Sequence, residues 1–167
     1  KIVYTNLTSK IYEEKVKAAK GKPVIARVGH AFIKETMRKQ GALFGAEHSG
    51  HFYFKDYFYT DSIALTLFYV LLVYGEAKQK GMTFSELIAP YRLYAQTEDV
   101  IVPVDDKPGA LAKVYEYLLK KKPRQVKKFD GYWFDFGEVW GSVKISVTEP
   151  ALKMMFEGKK KKDAQLL

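Results

Sequence analysis

Seven residues, GAEHSGH at positions 45–51, crowd a carboxylate, two imidazoles and a hydroxyl between glycines. The chain has three histidines, and the one outside this stretch, His30, precedes it closely. Two chemistries fit these side chains. His48 and His51, three apart, could join Glu47 and His30 in a metal site for hydrolysis, because residues at that spacing share one face of a helix. Gly45 and Gly50 work against a helix here, and zinc hydrolases usually carry a denser signature, with a glutamate between two helical histidines. The alternative is a loop that grips a polar ligand. Glu47 accepts hydrogen bonds, Ser49 donates and accepts, and glycine lets the backbone come close. Vicinal hydroxyls of a sugar need that mixture. A plain capped turn would use the same residue types.

A second set, KISVTEP at 144–150, suits an anion. Lys144, Ser146 and Thr148 alternate, so in a strand they point to one side. A cation and two hydroxyls beside the N–H groups of a turn make a phosphate site, with Pro150 removing one N–H at its far end. The competing reading is an ordinary polar strand face. A third set is basic and aromatic: Tyr115, Tyr117, Tyr132, Trp133 and Phe134 lie among lysines. Such a mixture can stack and neutralise single-stranded nucleic acid. Against this, residues 115 and 132–134 fall on elements that need apolar side chains for their own core, and no RNP, zinc-finger or GXXG motif is present.

The elements that must position these residues change character along the chain. Residues 2–7 read as a buried strand, and Ser9 as the N-cap of a helix with Tyr12, Val16 and Ala19 on one face, ended by Gly21. Residues 23–28 form a second strand, broken by Gly29. A helix with Phe32, Ile33 and Met37 on its apolar side follows and stops at Gly41. Residues 42–46 make a third strand that runs straight into the 45–51 motif. Asp61 is expected to cap a long helix to about Lys80, whose apolar run, residues 63–74, reads as buried in the core. Thr83 and Glu86 form a capping box. Alternating strands and helices with short connections mark a largely parallel sheet covered by helices, with ligands collecting beyond the strands' carboxyl ends.

After Pro90 the order changes. Residues 99–104 are a strand, and Pro108 suits the first turn of a helix lined by Leu111, Val114, Tyr115 and Leu118, closed by Pro123. An Asp-Gly turn signal at 130–131 precedes aromatic strand residues. GSVKISV and ALKMMFE read as two more strands around residues 148–150. The fold class is therefore α/β: a mixed, largely parallel three-layer sheet domain over 1–90, then a small α+β domain over 91–167. There is no internal repeat.

Composition narrows the function classes. Hydrophobic residues make up 47% of the 167, enough for a true core. The absence of cysteine excludes disulfides, thiolate zinc sites and cysteine nucleophiles, and fits a cytoplasmic location. The net charge of +9 favours anionic partners, and part of it is local, in lysine runs at 120–122, 127–128 and 159–162 that read as solvated faces or a tail. The longest apolar run, 12 residues, is too short to span a bilayer, so no membrane partner is expected. The chain starts at Lys1 inside strand-like sequence, as a piece of a longer protein would.

Taken together, GKPVIARVGHAFIKETMRKQGALFGAEHSGHFYF resembles the third domain of the α-D-phosphohexomutases, the phosphomannomutase/phosphoglucomutase group. Gly29-His30 matches that family's "GH" before a helix, and residues 47–51 match its GE-x-SGH sugar loop. DGYWFDF…WGSVKISVTEPALKMMFEG resembles the fourth, TBP-like domain, with Lys144, Ser146, Thr148, Glu149 and Pro150 on the phosphate loop. The resemblance covers roughly residues 1–158. It departs from the family pattern at Leu7, where a substrate-contacting Lys or Arg is common, at Lys144, where Arg is usual, and at Val147, where Asn or Gly is usual. The final KKKKDAQLL also offers little of the helix with which the family's last domain ends.

The resemblance implies a function. Such enzymes interconvert hexose 1-phosphate and hexose 6-phosphate through a bisphosphorylated intermediate, using a phosphoserine and a magnesium ion in their first two domains, with hexose 1,6-bisphosphate as activator. Neither the serine motif nor the aspartate loop is in this sequence. The implied partners are a phosphorylated hexose and the N-terminal domains of the same chain, not nucleic acid. By position, Glu47 and Ser49 hold sugar hydroxyls, His30 contacts the sugar or its phosphate, and His51 orients the loop or assists proton transfer. Lys144, Ser146 and Thr148 hold the phosphate that is not reacting. No residue of this portion is expected to be catalytic in its own right or to bind metal, so the portion alone is expected to be inactive. A phosphoglucosamine mutase carries a similar loop and is the alternative within the family; a basic nucleic-acid module is the alternative outside it.

Overall fold

A computed structural model describes residues 1–160. The chain divides into two compact units, with the boundary in sequence between Leu93 and Tyr94. The last lysines of the 159–162 run, and the rest of the C-terminal tail, lie outside the described residues.

In the first unit the elements run β1 (Ile2–Thr5), α1 (Lys10–Ala18), β2 (Pro23–Ala26), α2 (His30–Gln40), β3 (Phe44–Ala46), β4 (Phe52–Phe54), β5 (Thr60–Asp61), α3 (Ile63–Gln79) and α4 (Phe84–Ile88). The sheet order is β2-β1-β3-β4-β5. β1 pairs in parallel with β2 and β3, while β4 and β5 extend the sheet in antiparallel fashion. The sheet is thus mixed, and residues 47–51 form the hairpin connection from β3 to β4.

Strand alternation explains the layers. Val3 and Thr5 of β1 are buried, and Val3 packs with Ala26, Ile33, Met37, Ala42 and Tyr53 on the α2 side. Tyr4 points the other way and meets Tyr12 of α1, with ring centroids 5.8 Å apart. On that face Ile2, Ile11, Tyr12, Val16, Phe44 and Tyr91 border an apolar groove of about 640 Å³. Helix ends follow the sequence signals. Ser9 accepts from Ile11 N–H, and Gly41 takes the left-handed conformation that closes α2. Thr83 and Glu86 make both halves of the capping box at α4.

Two expectations need correction. The N-cap of α3 is Ser62, whose hydroxyl accepts from Leu65 N–H, and not Asp61. Asp61 lies one residue earlier, paired with Tyr53 in the β4–β5 ladder. The apolar helix α3 is also not a buried core helix. Ile63, Leu67 and Leu71 are each more than half exposed, and of its residues only Ala77 is buried. The cause is its sequence: α3 is apolar around its whole circumference, whereas a flat sheet covers one stripe of a helix. Its ring contacts include Tyr69 with Phe54 and Tyr74 with Phe84, at centroid distances of 5.7 and 5.4 Å. No helix among the described residues is long and apolar enough to cross a membrane.

The second unit comprises β6 (Ala95–Gln96), β7 (Val100–Pro103), α5 (Lys107–Lys120), β8 (Gln125–Lys128), β9 (Tyr132–Asp135), β10 (Val139–Ile145) and β11 (Ala151–Gly158). The sheet is antiparallel, in the order β6-β11-β10-β9-β8, with β7 also pairing β11. Helix α5 opens with Asp106, whose carboxylate accepts from Gly109 N–H at 3.0 Å, and Pro108 sits in its first turn. Leu118, Val114 and Tyr115 of α5 pack on Phe134, Val143 and Phe156. Tyr115 lies 4.3 Å from Tyr132 and 6.0 Å from Phe134, ring centre to ring centre, so these rings serve the unit's own core.

Candidate functional site

The loop at 47–51 closes on itself. Glu47 N–H donates to the His51 carbonyl at 2.9 Å and Gly50 N–H to the Glu47 carbonyl at 3.1 Å, with Gly50 at a positive φ of 86°. Glu47 is held from two sides. One carboxylate oxygen accepts from Gly29 N–H at 3.0 Å, and the other accepts from the Tyr53 hydroxyl at 2.6 Å. Gly29 makes its bond from φ 122°, a conformation open to glycine, directly before His30 starts α2. Tyr53 is buried on β4, opposite Gly45 in the ladder, so its phenol comes up beneath the loop. Burial first, and then the bond to Glu47, push the phenol's pKa well above its ordinary value, keeping Tyr53 a neutral donor.

His51 is oriented by a residue the sequence reading assigned to a helix cap. Its Nδ1 lies 2.5 Å from Asp61 Oδ2. A carboxylate only accepts, so Nδ1 carries the proton and Nε2 is left as the nitrogen for other partners. His30, Lys34, Glu47, Ser49, His51, Tyr53, Thr60 and Asp61 surround a cavity of about 430 Å³. The structure therefore brings together the four expected residues, His30, Glu47, Ser49 and His51, and adds Lys34, Tyr53, Thr60 and Asp61. His48 is exposed and does not line this cavity. Among the described residues no group of three or more histidine, aspartate or glutamate side chains is placed to hold a metal. The same set does not fit a magnesium ion, which takes several oxygen ligands.

The second unit's candidate loop follows β10. Ser146 is buried, and Val147, Thr148 and Glu149 are exposed in the turn to β11. Thr148 is thus a turn residue and not part of the strand. Ser146 N–H donates to the Ala151 carbonyl at 2.9 Å, fixing the turn's base. Among the described residues, the N–H groups of Val147, Thr148 and Glu149 have no protein acceptor. Lys144, expected against the phosphate, is buried, its side chain 4% exposed, with Nζ 2.5 Å from Asp130 Oδ2. Asp130 and Gly131 both have positive φ, 48° and 100°, in the β8–β9 connection, which brings the carboxylate to Lys144 of β10. Lys153 pairs with Glu149 at 3.0 Å, and that pairing lowers the Glu149 pKa. Lys107, from the first turn of α5, reaches the carbonyls of Ser146 and Glu149 at 3.4 and 3.5 Å.

Residues 1–94 match the model of phosphoglucomutase/phosphomannomutase alpha/beta/alpha domain III. The chain belongs to this family. The phosphohexose mutase of Xanthomonas campestris pv. campestris is 34% identical over 145 residues, which cover 86% of this chain and 32% of that protein. The phosphomannomutase of Methanocaldococcus jannaschii is 32% identical over 157 residues, 94% of this chain and 34% of the relative. The crystal structure of a phosphoglucomutase/phosphomannomutase family protein from Burkholderia thailandensis shares the fold at a TM-score of 0.81 and 20% identity, covering 99% of this chain and 34% of that one. The chain therefore spans about a third of the length of the phosphohexomutases it matches.

Sequence reasoning missed Tyr53, Asp61, Asp130 and Lys107. Tyr53 had a usable signal, because it lies two residues after His51 in a run of aromatic residues that a strand would alternate. Asp61, Asp130 and Lys107 reach their partners across the fold, and no spacing in the sequence announces them.

Proposed function

We propose that this chain recognises a phosphorylated hexose for a phosphohexomutase that interconverts hexose 1-phosphate and hexose 6-phosphate through a bisphosphorylated intermediate. In this reading Glu47 and Ser49 bind sugar hydroxyls in the first unit, and the 146–149 turn binds a phosphoryl group in the second. The observation that carries it is the double anchoring of Glu47 by Gly29 N–H and Tyr53 hydroxyl. Two acceptor directions of the carboxylate are occupied by the protein, and the remaining lone pairs are presented at a fixed place for ligand hydroxyls. Such anchoring uses binding energy to position a reacting group elsewhere on the substrate. His30 lies beside the ligand, and His51, oriented by Asp61, offers Nε2 to a sugar hydroxyl or its proton. The phosphoserine, the magnesium ion and hence the transfer chemistry are assigned to parts of the enzyme other than these residues, in a cytoplasmic protein. The relatives' threefold greater length supports that division.

Calorimetric titration with mannose 6-phosphate and glucose 6-phosphate tests the reading. Glu47→Gln and Ser49→Ala are each expected to weaken sugar-phosphate binding about tenfold, roughly the worth of one hydrogen bond, and to leave inorganic phosphate binding unchanged. Sugar-phosphate affinity identical in wild type and both variants would end the sugar assignment. A parallel titration with glucosamine 6-phosphate distinguishes the aminosugar alternative. Mutase turnover by the 167-residue chain alone would overturn the division of labour.

A further inference from the structure

We propose that Lys107 supplies the positive charge of the phosphate-binding turn, a role that sequence position gives to Lys144. The inference rests on the reading of residues 146–149 as a phosphate site. Three ammonium groups lie close to this turn, and their partners separate them. Lys144 is buried and bonded to the Asp130 carboxylate, so its charge is already matched. Lys153 is matched by Glu149. Lys107 touches only neutral acceptors, the Ser146 and Glu149 carbonyls, and among the described residues it has no carboxylate within ion-pair distance.

Geometry favours Lys107 for a second reason. Its contacts of 3.4 and 3.5 Å are at the long limit of hydrogen bonding, and an ammonium carries three donors. The group therefore brackets the turn without being saturated by it. The residues between its two carbonyl contacts include Val147 and Thr148, whose N–H groups have no protein acceptor among the described residues. A phosphoryl group on those N–H donors and on the Thr148 hydroxyl would lie beside a cation that need break no ion pair to reach it. Lysine acts on phosphate as a point charge and needs no fork geometry, so a flexible stem from the start of α5 suffices. Asp130 keeps its own partner throughout, and no buried charge is left unpaired.

Inorganic phosphate is the probe, titrated into the full chain at several salt concentrations, with glucose 6-phosphate in a second arm to separate free from sugar-borne phosphate. Glutamine at 107 keeps a hydrogen-bond donor on a shorter stem but carries no charge, and Lys107→Arg keeps the charge, so the pair of variants separates electrostatic binding from packing at this position. Lys107→Gln is expected to weaken inorganic phosphate about tenfold or more and to flatten its salt dependence, and Lys107→Arg to restore both. Wild-type affinity and salt dependence in Lys107→Gln, with binding lost in Ser146→Ala/Thr148→Val, would overturn the role of Lys107 while leaving the phosphate site standing. Unchanged phosphate binding in all of these variants would instead remove the phosphate site itself. A parallel loss with both arms supports a shared phosphoryl contact, and a loss with glucose 6-phosphate alone would refute it.

Discussion

At the residue scale, the cavity of the first unit is built from paired side chains, each fixing the other. Asp61 sets which nitrogen of His51 carries hydrogen, and this can be tested directly. In wild type, 15N chemical shifts of the neutral His51 ring are expected to show a protonated Nδ1. Asp61→Asn can turn its amide N–H toward the ring, and the Nε2-protonated tautomer should then gain population. An unchanged tautomer would show that Asp61 does not orient the ring. The sequence exposed one side of each pair. Glu47, Ser49 and His51 stood out because polar side chains were concentrated between glycines. Tyr53 and Asp61 did not, because one looks like a core aromatic and the other like a helix cap. A partner reached through a strand ladder leaves no local pattern.

At the element scale, what was legible depended on whether an element's signal is local. Ser9, Gly41, Pro108 and the Thr83–Glu86 box sit where their chemistry predicts, because capping is decided within four or five residues. Strands β4 and β5, of three and two residues, are too short for any periodicity to show. Their existence moved the α3 cap by one residue, since Asp61 is drawn into the sheet and Ser62 takes its place. The Asp-Gly signal at 130–131 was read correctly as a turn, but its tightness comes from the neighbouring strand. A Cβ on Gly131 would lie 2.3 Å from the Val143 carbonyl oxygen, at a φ of 100°. Gly131→Ala is therefore expected to cost about 2 kcal/mol or more, through backbone strain and through displacement of the Asp130–Lys144 pair. Chemical denaturation would measure it, and a loss below about 0.5 kcal/mol would show that the turn relaxes freely.

At the scale of the whole molecule, the charge and the apolar surface pull in different directions. A net charge of +9 opposes self-association, whereas α3 presents Leu67, Leu71 and their neighbours to solvent. An exposed patch of this kind should bind the dye ANS. Leu67→Glu/Leu71→Glu is expected to lower dye fluorescence several-fold with little change in melting temperature, because both side chains are already more than half exposed. A large fall in melting temperature would mean that the helix is buried in solution. The sequence could not reveal this exposure, because an apolar run marks a surface that seeks cover without naming what provides it. The anchoring of Glu47 has a further consequence for anyone altering ligand preference by exchanging loops with a relative. Residues 48 and 49 can be exchanged as a local edit. Glu47 cannot, because its carboxylate depends on a backbone conformation before α2 and a phenol on β4. A graft of 47–51 that omits positions 29 and 53 transplants the letters of the motif without the two donors that fix its carboxylate.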